Sequence, residues 1–271
     1  MNRPNAGQGS RSRFRIMPVN SLAPNILTVL ALCAGLTAIR FALLGQWEKA
    51  VAAVLVAGVL DGLDGRLARL LKGASKFGAE LDSLSDFLSF GVAPALVLYL
   101  WGVKELKGLG WILVLVFAVS CALRLARFNT ALEDPDRPAW SSNFFTGIAA
   151  PAGAALSLLP MMLYFETGYG FFTNPVLMGI WMAAMAALMV SQVPTYSFKK
   201  LRVRREYILG VLLVVALIAA LLVTYPWAVL SALAIAYLSS VPFSWRAHRH
   251  LSRNREAAAA PLEDEAGHPG S

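Results

Sequence analysis

The chain has 271 residues, of which 57% are hydrophobic and only 15% charged, with mean hydropathy +0.59. Soluble domains carry about 25% charged residues, so this composition excludes an ordinary water-soluble globule and points to one polytopic membrane domain. The net charge of +8 is read as juxtamembrane Lys and Arg facing anionic membrane lipids, not as a nucleic-acid interface.

Residues 1–24 form a basic N-terminal segment, with Arg3, Arg11, Arg13 and Arg15 and no acid. It contains no apolar core followed by a cleavage site, so the next apolar run is read as a retained span. That run, Asn25 to Leu44, is long enough to cross a bilayer, with Pro24 and Asn25 as its expected start. A second helix is expected from Ala50 to Leu71, carrying Asp61 and Asp64 in its second half. After a tight basic loop, a third is expected from Gly78 to Trp101. It carries Asp82 and Asp86, and Pro94 interrupts it. So short a loop makes the second and third helices antiparallel neighbours and brings their acids to one side of the membrane.

The fourth helix is expected from Trp111 to Asn129, ending in Arg124, Arg127 and Asn129. Two arginines three apart suit an anionic headgroup, a phosphate or a carboxylate; a positive anchor at the membrane edge is the plainer reading. A polar loop follows over residues 130–143. Further spans are expected at Phe144–Phe165, Pro175–Pro194, Tyr207–Thr224 and from there to about Trp245, with a basic stretch from Thr195 to Glu206. The expectation is therefore an all-α bundle of about eight transmembrane helices over residues 25–245, and a disordered cytosolic tail over 246–271. Every Lys and Arg falls on one side of this arrangement except Arg40, Lys49, Lys104 and Lys107. That bias assigns both termini and the acids to the cytosol.

Four carboxylates in so apolar a chain call for a reason, because ionisable groups at membrane depth are costly and usually functional. Asp61 and Asp64 are three apart, Asp82 and Asp86 four apart, so each pair shares a helix face. Their mutual repulsion is relieved by a divalent cation, and Mg²⁺ or Mn²⁺ takes carboxylate oxygens together with substrate phosphate oxygens. Two ions about 3.5–4 Å apart suit a phosphoryl transfer. Gly65, Ala68 and Gly78 leave room for close approach of a backbone or ligand, Arg69 can fork onto a phosphate, and Ser83 and Ser89 are candidates for the substrate side. The two cysteines lie in separate apolar runs and the three histidines all lie at or beyond His248, which excludes a disulfide framework and a histidine-based centre.

The pattern D-x2-D-G-x2-A-R-x8-G-x3-D-x3-D, Asp61 to Asp86, resembles the signature of the CDP-alcohol phosphatidyltransferase family at all eight fixed positions. The resemblance implies a metal site built on two helices. It makes Asp61, Asp64 and Asp82 metal ligands and Asp86 the general base, shared with a metal. It also makes Gly65, Ala68, Arg69 and Gly78 contacts to the cytidine diphosphate.

Further blocks are similar to the phosphatidylserine synthase branch of that family. They are Ser75 to Pro94, Arg124 to Asn129, Phe145-Thr146-Gly147 with Pro151, and Ser191 to Thr195; Leu60 and Gln192 depart from it. The reaction implied is CDP-diacylglycerol plus L-serine giving phosphatidylserine and CMP, with Arg124 or Arg127 receiving the serine carboxylate and a homodimer as the assembly. The alternatives are a sister enzyme acting on choline, glycerol phosphate or inositol phosphate, and an ion-binding transporter.

Overall fold

The computed structural model describes residues 19–71, 73, 75–133, 144–191, 194–196 and 207–240. The basic N-terminal segment up to residue 18, most of the polar loop, the basic residues Lys199 to Arg205 and the tail beyond residue 240 lie outside the described residues. The described residues are all-α apart from one short strand pair. The helices are α1 (Val19–Leu43), α2 (Trp47–Leu70), α3 (Lys76–Asp86), α4 (Ala93–Trp101), α5 (Gly108–Glu133), α6 (Ala150–Ser157), α7 (Leu159–Thr167), α8 (Pro175–Val190), α9 (Ile208–Thr224) and α10 (Pro226–Ser240). Because α3 runs through a π turn (Phe87–Val92) into α4, and α7 follows α6 after one residue, the described residues make eight helical rods.

Among the described residues, three stretches are long and apolar enough to cross a membrane: Leu22–Leu43, Lys76–Trp101 and Gly108–Ala131. The helix α2 is of similar length but carries Asp61, Asp64, Arg66 and Arg69. Exposed large apolar side chains cover the outside of α1 and α5, and every described side chain of α9 from Leu209 to Thr224 is exposed. An apolar surface of this kind belongs against lipid, since a helix that is hydrophobic all round is stable only when buried or membrane-embedded. The protein is membrane-associated.

The first two helices form the most extensive helix pair. Gly45, with φ of +69°, reverses the chain between them. Its N–H donates to Ala42 O at 3.0 Å and that of Gln46 to Phe41 O at 2.9 Å, the paired bonds of a glycine-terminated helix end. Ser75 caps α3 by accepting from the Gly78 N–H at 3.0 Å. The buried core is rich in methionine (Met161, Met162, Met178, Met182, Met185, Met189), whose unbranched chains fill irregular gaps. Beyond it Trp101 packs on Tyr164 (5.4 Å between centroids) and Phe165 on Trp227 (5.0 Å), as aromatic side chains do at a membrane interface.

Several boundaries differ from expectation. The first helix begins at Val19, with Pro24 inside it: a proline removes one ladder bond and bends a helix without having to end it. The break expected at Pro94 is a π turn just before it, which leaves Pro94 in the first turn of α4. The expected helix from Phe144 instead opens with strand β1 (Phe144–Thr146), and helicity begins at Ala150. The expected helix to Pro194 stops at Val190, and strand β2 (Pro194–Tyr196) pairs antiparallel with β1, Phe144 opposite Tyr196. Pro194 has no N–H to continue a helix. Gly147, at φ +81°, turns the chain off β1 so close to the end of α8 that an added Cβ would sit 2.8 Å from Ser191 O.

Candidate functional site

Four acids meet between α2 and α3. One carboxylate oxygen each from Asp61, Asp64 and Asp82 lie within 4.8 Å of one another. Asp86, one turn beyond Asp82, lies beside Asp61, close enough for the two carboxyls to interact. This follows from the local sequence. Spacings of three and four put each pair on one helix face, and the short link to Ser75 and the Ser75 cap bring those faces together, with α1 packed against both helices. At such separations each like-charged pair repels by roughly 3 kcal/mol for an effective dielectric of about 20. Three convergent hard oxygen donors fit a divalent cation, which would cancel that cost; the cluster can coordinate one.

Two of the acids, Asp64 and Asp82, line a cavity of about 170 Å³. Asp64, Gly65 and Ala68 come to it from α2; Gly73 and Ser75 from the link; Gly78, Ala79 and Asp82 from α3; and Pro24, Asn25 and Thr28 from α1. The two glycines differ. A Cβ on Gly65 would meet nothing within 4 Å, so its face is open cavity. One on Gly78 would lie 2.7 Å from Asn25 Oδ1 and 3.1 Å from Ser75 Oγ, so Gly78 also permits close packing of α3 on α1. Arg69 is exposed just past Ala68 and is not part of the lining.

From α5, Arg124 turns inward. It lies near Asp86 and Asp61 of the cluster and near Cys121 and Tyr237, and its Nε is buried with no hydrogen-bond partner among the described residues. Arg127, three residues on, does not join it. It is exposed and its Nη1 donates to Val190 O at 3.0 Å, binding the end of α5 to the end of α8. Ser83 has both hydrogen-bonding roles taken: it accepts from Asn129 Nδ2 at 2.8 Å and donates to Ala79 O at 3.0 Å. The bond from Asn129 ties α5 to α3.

Sequence reasoning passed over the contribution of α1. Thr28 Oγ1 donates to Asp64 Oδ2 at 2.7 Å, Ser85 Oγ donates to Thr28 O at 3.1 Å, and Ser89 Oγ donates to Ala31 O at 3.2 Å. A hydroxyl at Thr28 within a long apolar run was the available signal. Tyr237 of α10 was also missed, since nothing in its sequence surroundings points toward Arg124.

An α-helical membrane protein with clustered carboxylates beside a cavity framed by small residues defines a class, and the sequence places the chain within it. Residues 21–191, which carry all four acids, match the family described as CDP-alcohol phosphatidyltransferase, and residues 206–242 match one described as CDP-alcohol phosphatidyltransferase 2. The chain belongs to the CDP-alcohol phosphatidyltransferase family. It is 40% identical over 235 residues to the CDP-diacylglycerol–serine O-phosphatidyltransferase of Mycobacterium tuberculosis, a match covering 87% of this chain and 82% of the relative. The protein of the same description from Helicobacter pylori J99 is 35% identical over 207 residues, covering 74% of this chain and 84% of that one. That from Bacillus subtilis is 33% identical over 178 residues, covering 65% and 91%.

Proposed function

We propose that this chain is a CDP-diacylglycerol–serine O-phosphatidyltransferase. It transfers the phosphatidyl group of CDP-diacylglycerol to the hydroxyl of L-serine and releases phosphatidylserine and CMP. The observation that carries this is the convergence of Asp61, Asp64 and Asp82 beside the cavity containing Gly65, Ala68 and Gly78, in a chain whose relatives with that activity match it over most of its length. Mg²⁺ or Mn²⁺, taken as two ions held by Asp61, Asp64, Asp82 and one oxygen of Asp86, would neutralise the pyrophosphate and stabilise the departing CMP phosphate.

In the reaction the serine oxygen forms a bond to the phosphatidyl phosphorus, the bond from that phosphorus to the pyrophosphate bridging oxygen breaks, and CMP leaves with that oxygen. Asp86 takes the serine hydroxyl proton. Gly65, Ala68 and Gly78 let the nucleotide lie close to the backbone, with Arg69 at the rim for its phosphates. Arg124 receives the serine carboxylate: its buried Nε has no hydrogen-bond partner among the described residues and it faces Asp86. Arg127, already engaged with Val190 O, is the weaker candidate, and Ser83 contributes through its bond to Asn129.

The catalytic domain is taken as residues 25–245, crossing a bacterial-type cytoplasmic membrane eight times. The basic segment 1–24, the acids and the tail 246–271 are on the cytosolic side, against anionic lipid. The charge bias along the chain and the outward apolar side chains support that topology. A homodimer is the expected assembly.

The test is a panel of acceptors offered to purified protein with radiolabelled CDP-diacylglycerol and Mn²⁺. Serine should yield phosphatidylserine, and removal of metal with EDTA should abolish it. Product formed from choline, glycerol phosphate or inositol phosphate in place of serine overturns the acceptor; no product from any alcohol overturns the enzyme. Asp86→Asn should bind the nucleotide normally and turn over on the order of 10²–10⁴ times more slowly.

A further inference from the structure

The helix α1 carries no acid, yet it touches both halves of the acid cluster through one residue. The hydroxyl of Thr28 donates to Asp64 Oδ2 at 2.7 Å, and the main-chain carbonyl of Thr28 accepts from Ser85 Oγ at 3.1 Å. Ser85 lies between Asp82 and Asp86 on α3. All three partners are buried, Thr28 and Asp64 at 4% exposure and Ser85 at 2%. One turn further, Ser89 Oγ repeats the link by donating to Ala31 O at 3.2 Å, where Gly35 lets the two backbones approach.

We infer that Thr28 is a positioning residue for the metal-binding carboxylates. Its side chain holds Asp64 of α2 in orientation, and its backbone holds the acid-bearing turn of α3 in register with it. The inference rests on the reading of Asp61, Asp64 and Asp82 as metal ligands. A hydrogen bond to one oxygen of a ligating carboxylate fixes the plane of the group and leaves the other oxygen for the cation. Losing such a partner typically weakens metal binding about 10- to 100-fold. The plainer role for Thr28 is the bond its hydroxyl also makes to Pro24 O at 3.1 Å, within its own helix. A hydroxyl has one hydrogen, and the shorter contact to a charged oxygen is the stronger claim on it.

The two roles separate by experiment. Mn²⁺ affinity is measured by electron paramagnetic resonance on purified protein in nanodiscs, alongside the metal concentration that half-saturates turnover. Thr28→Val keeps the shape and removes the donor; both constants should rise about 10- to 100-fold, while turnover recovers toward wild type as Mn²⁺ is raised. Thr28→Ser keeps the hydroxyl and should bind Mn²⁺ as wild type does. Where T28V gives no folded protein, Thr28→Ala introduces no new contact and supplies the same readout. Unchanged Mn²⁺ affinity in the donor-less variant, with or without a lower Tm, overturns the positioning role and leaves the metal site standing. Wild-type protein whose Mn²⁺ binding is absent, or is indifferent to Asp64→Asn, overturns the metal reading itself and the inference with it.

Discussion

The two site glycines are alike in the motif and unlike in the structure. Gly65 faces open cavity, so Gly65→Ala should leave the melting temperature unchanged and raise KM for the CDP-lipid, because the added methyl occupies ligand space. At Gly78 the methyl would press on Asn25 and Ser75. Gly78→Ala should therefore lower stability by about 1–3 kcal/mol, seen as a lower Tm in the detergent-solubilised protein. The two arginines of α5 divide similarly. Arg124→Ala should raise KM for serine steeply, whereas Arg127→Ala, which removes only the bond to Val190 O, should cost about 0.5–1.5 kcal/mol of stability and spare KM. Equal effects on KM would contradict this division. The spacing of three made the pair visible in the sequence. Which arginine turned inward depended on what stood opposite each, acids for one and the end of α8 for the other.

Among the elements, α1 behaves as a splint laid along α2 and α3. At Gly35 it comes close to the π turn that follows α3, where an added Cβ would lie 2.5 Å from Ser89 Oγ and 2.9 Å from Ser89 Cα. Gly35→Ala should destabilise the protein by about 1–3 kcal/mol. The double variant with Ser89→Ala should not be restored, since the clash with the backbone Cα remains; a recovered Tm would show that only the hydroxyl was in the way. The π turn at Phe87–Val92 follows Asp86 directly and buries Ser89, Phe90 and Gly91. Such turns recur at functional sites, but no residue pattern announced this one. A proline at 94 signals a disturbed ladder without saying on which side the disturbance is absorbed. The strand pair was equally illegible: three residues leave no measurable alternation, and β1 and β2 are far apart in the chain.

For the molecule as a whole, the informative feature is where its apolar side chains point. Many of the larger ones on α1, α5 and α9 face outward, while Asp61, Asp64, Asp82 and Asp86 are at least partly buried between helices, the reverse of a soluble protein. The topology proposed from the charge bias puts Lys76 and Lys104 on opposite sides; both are exposed. With Cys33 and Cys121 replaced by Ser, Lys104→Cys should react with a membrane-impermeant maleimide on intact cells, and Lys76→Cys only after lysis. The opposite labelling pattern would invert the orientation.

What the chain alone determined were quantities that depend on local spacing: long apolar runs, an acid on each successive helical turn, small residues within the motif, and the side on which basic residues collect. Each follows from helix periodicity and the cost of charge in lipid, and neither needs a partner to be read. Only the tertiary structure decided which groups meet across helices. Thr28 on Asp64, Arg124 facing Asp86, Arg127 at the end of α8 and the strand pair each join residues far apart in the chain. Such pairings are set by how whole helices pack, which no local pattern encodes.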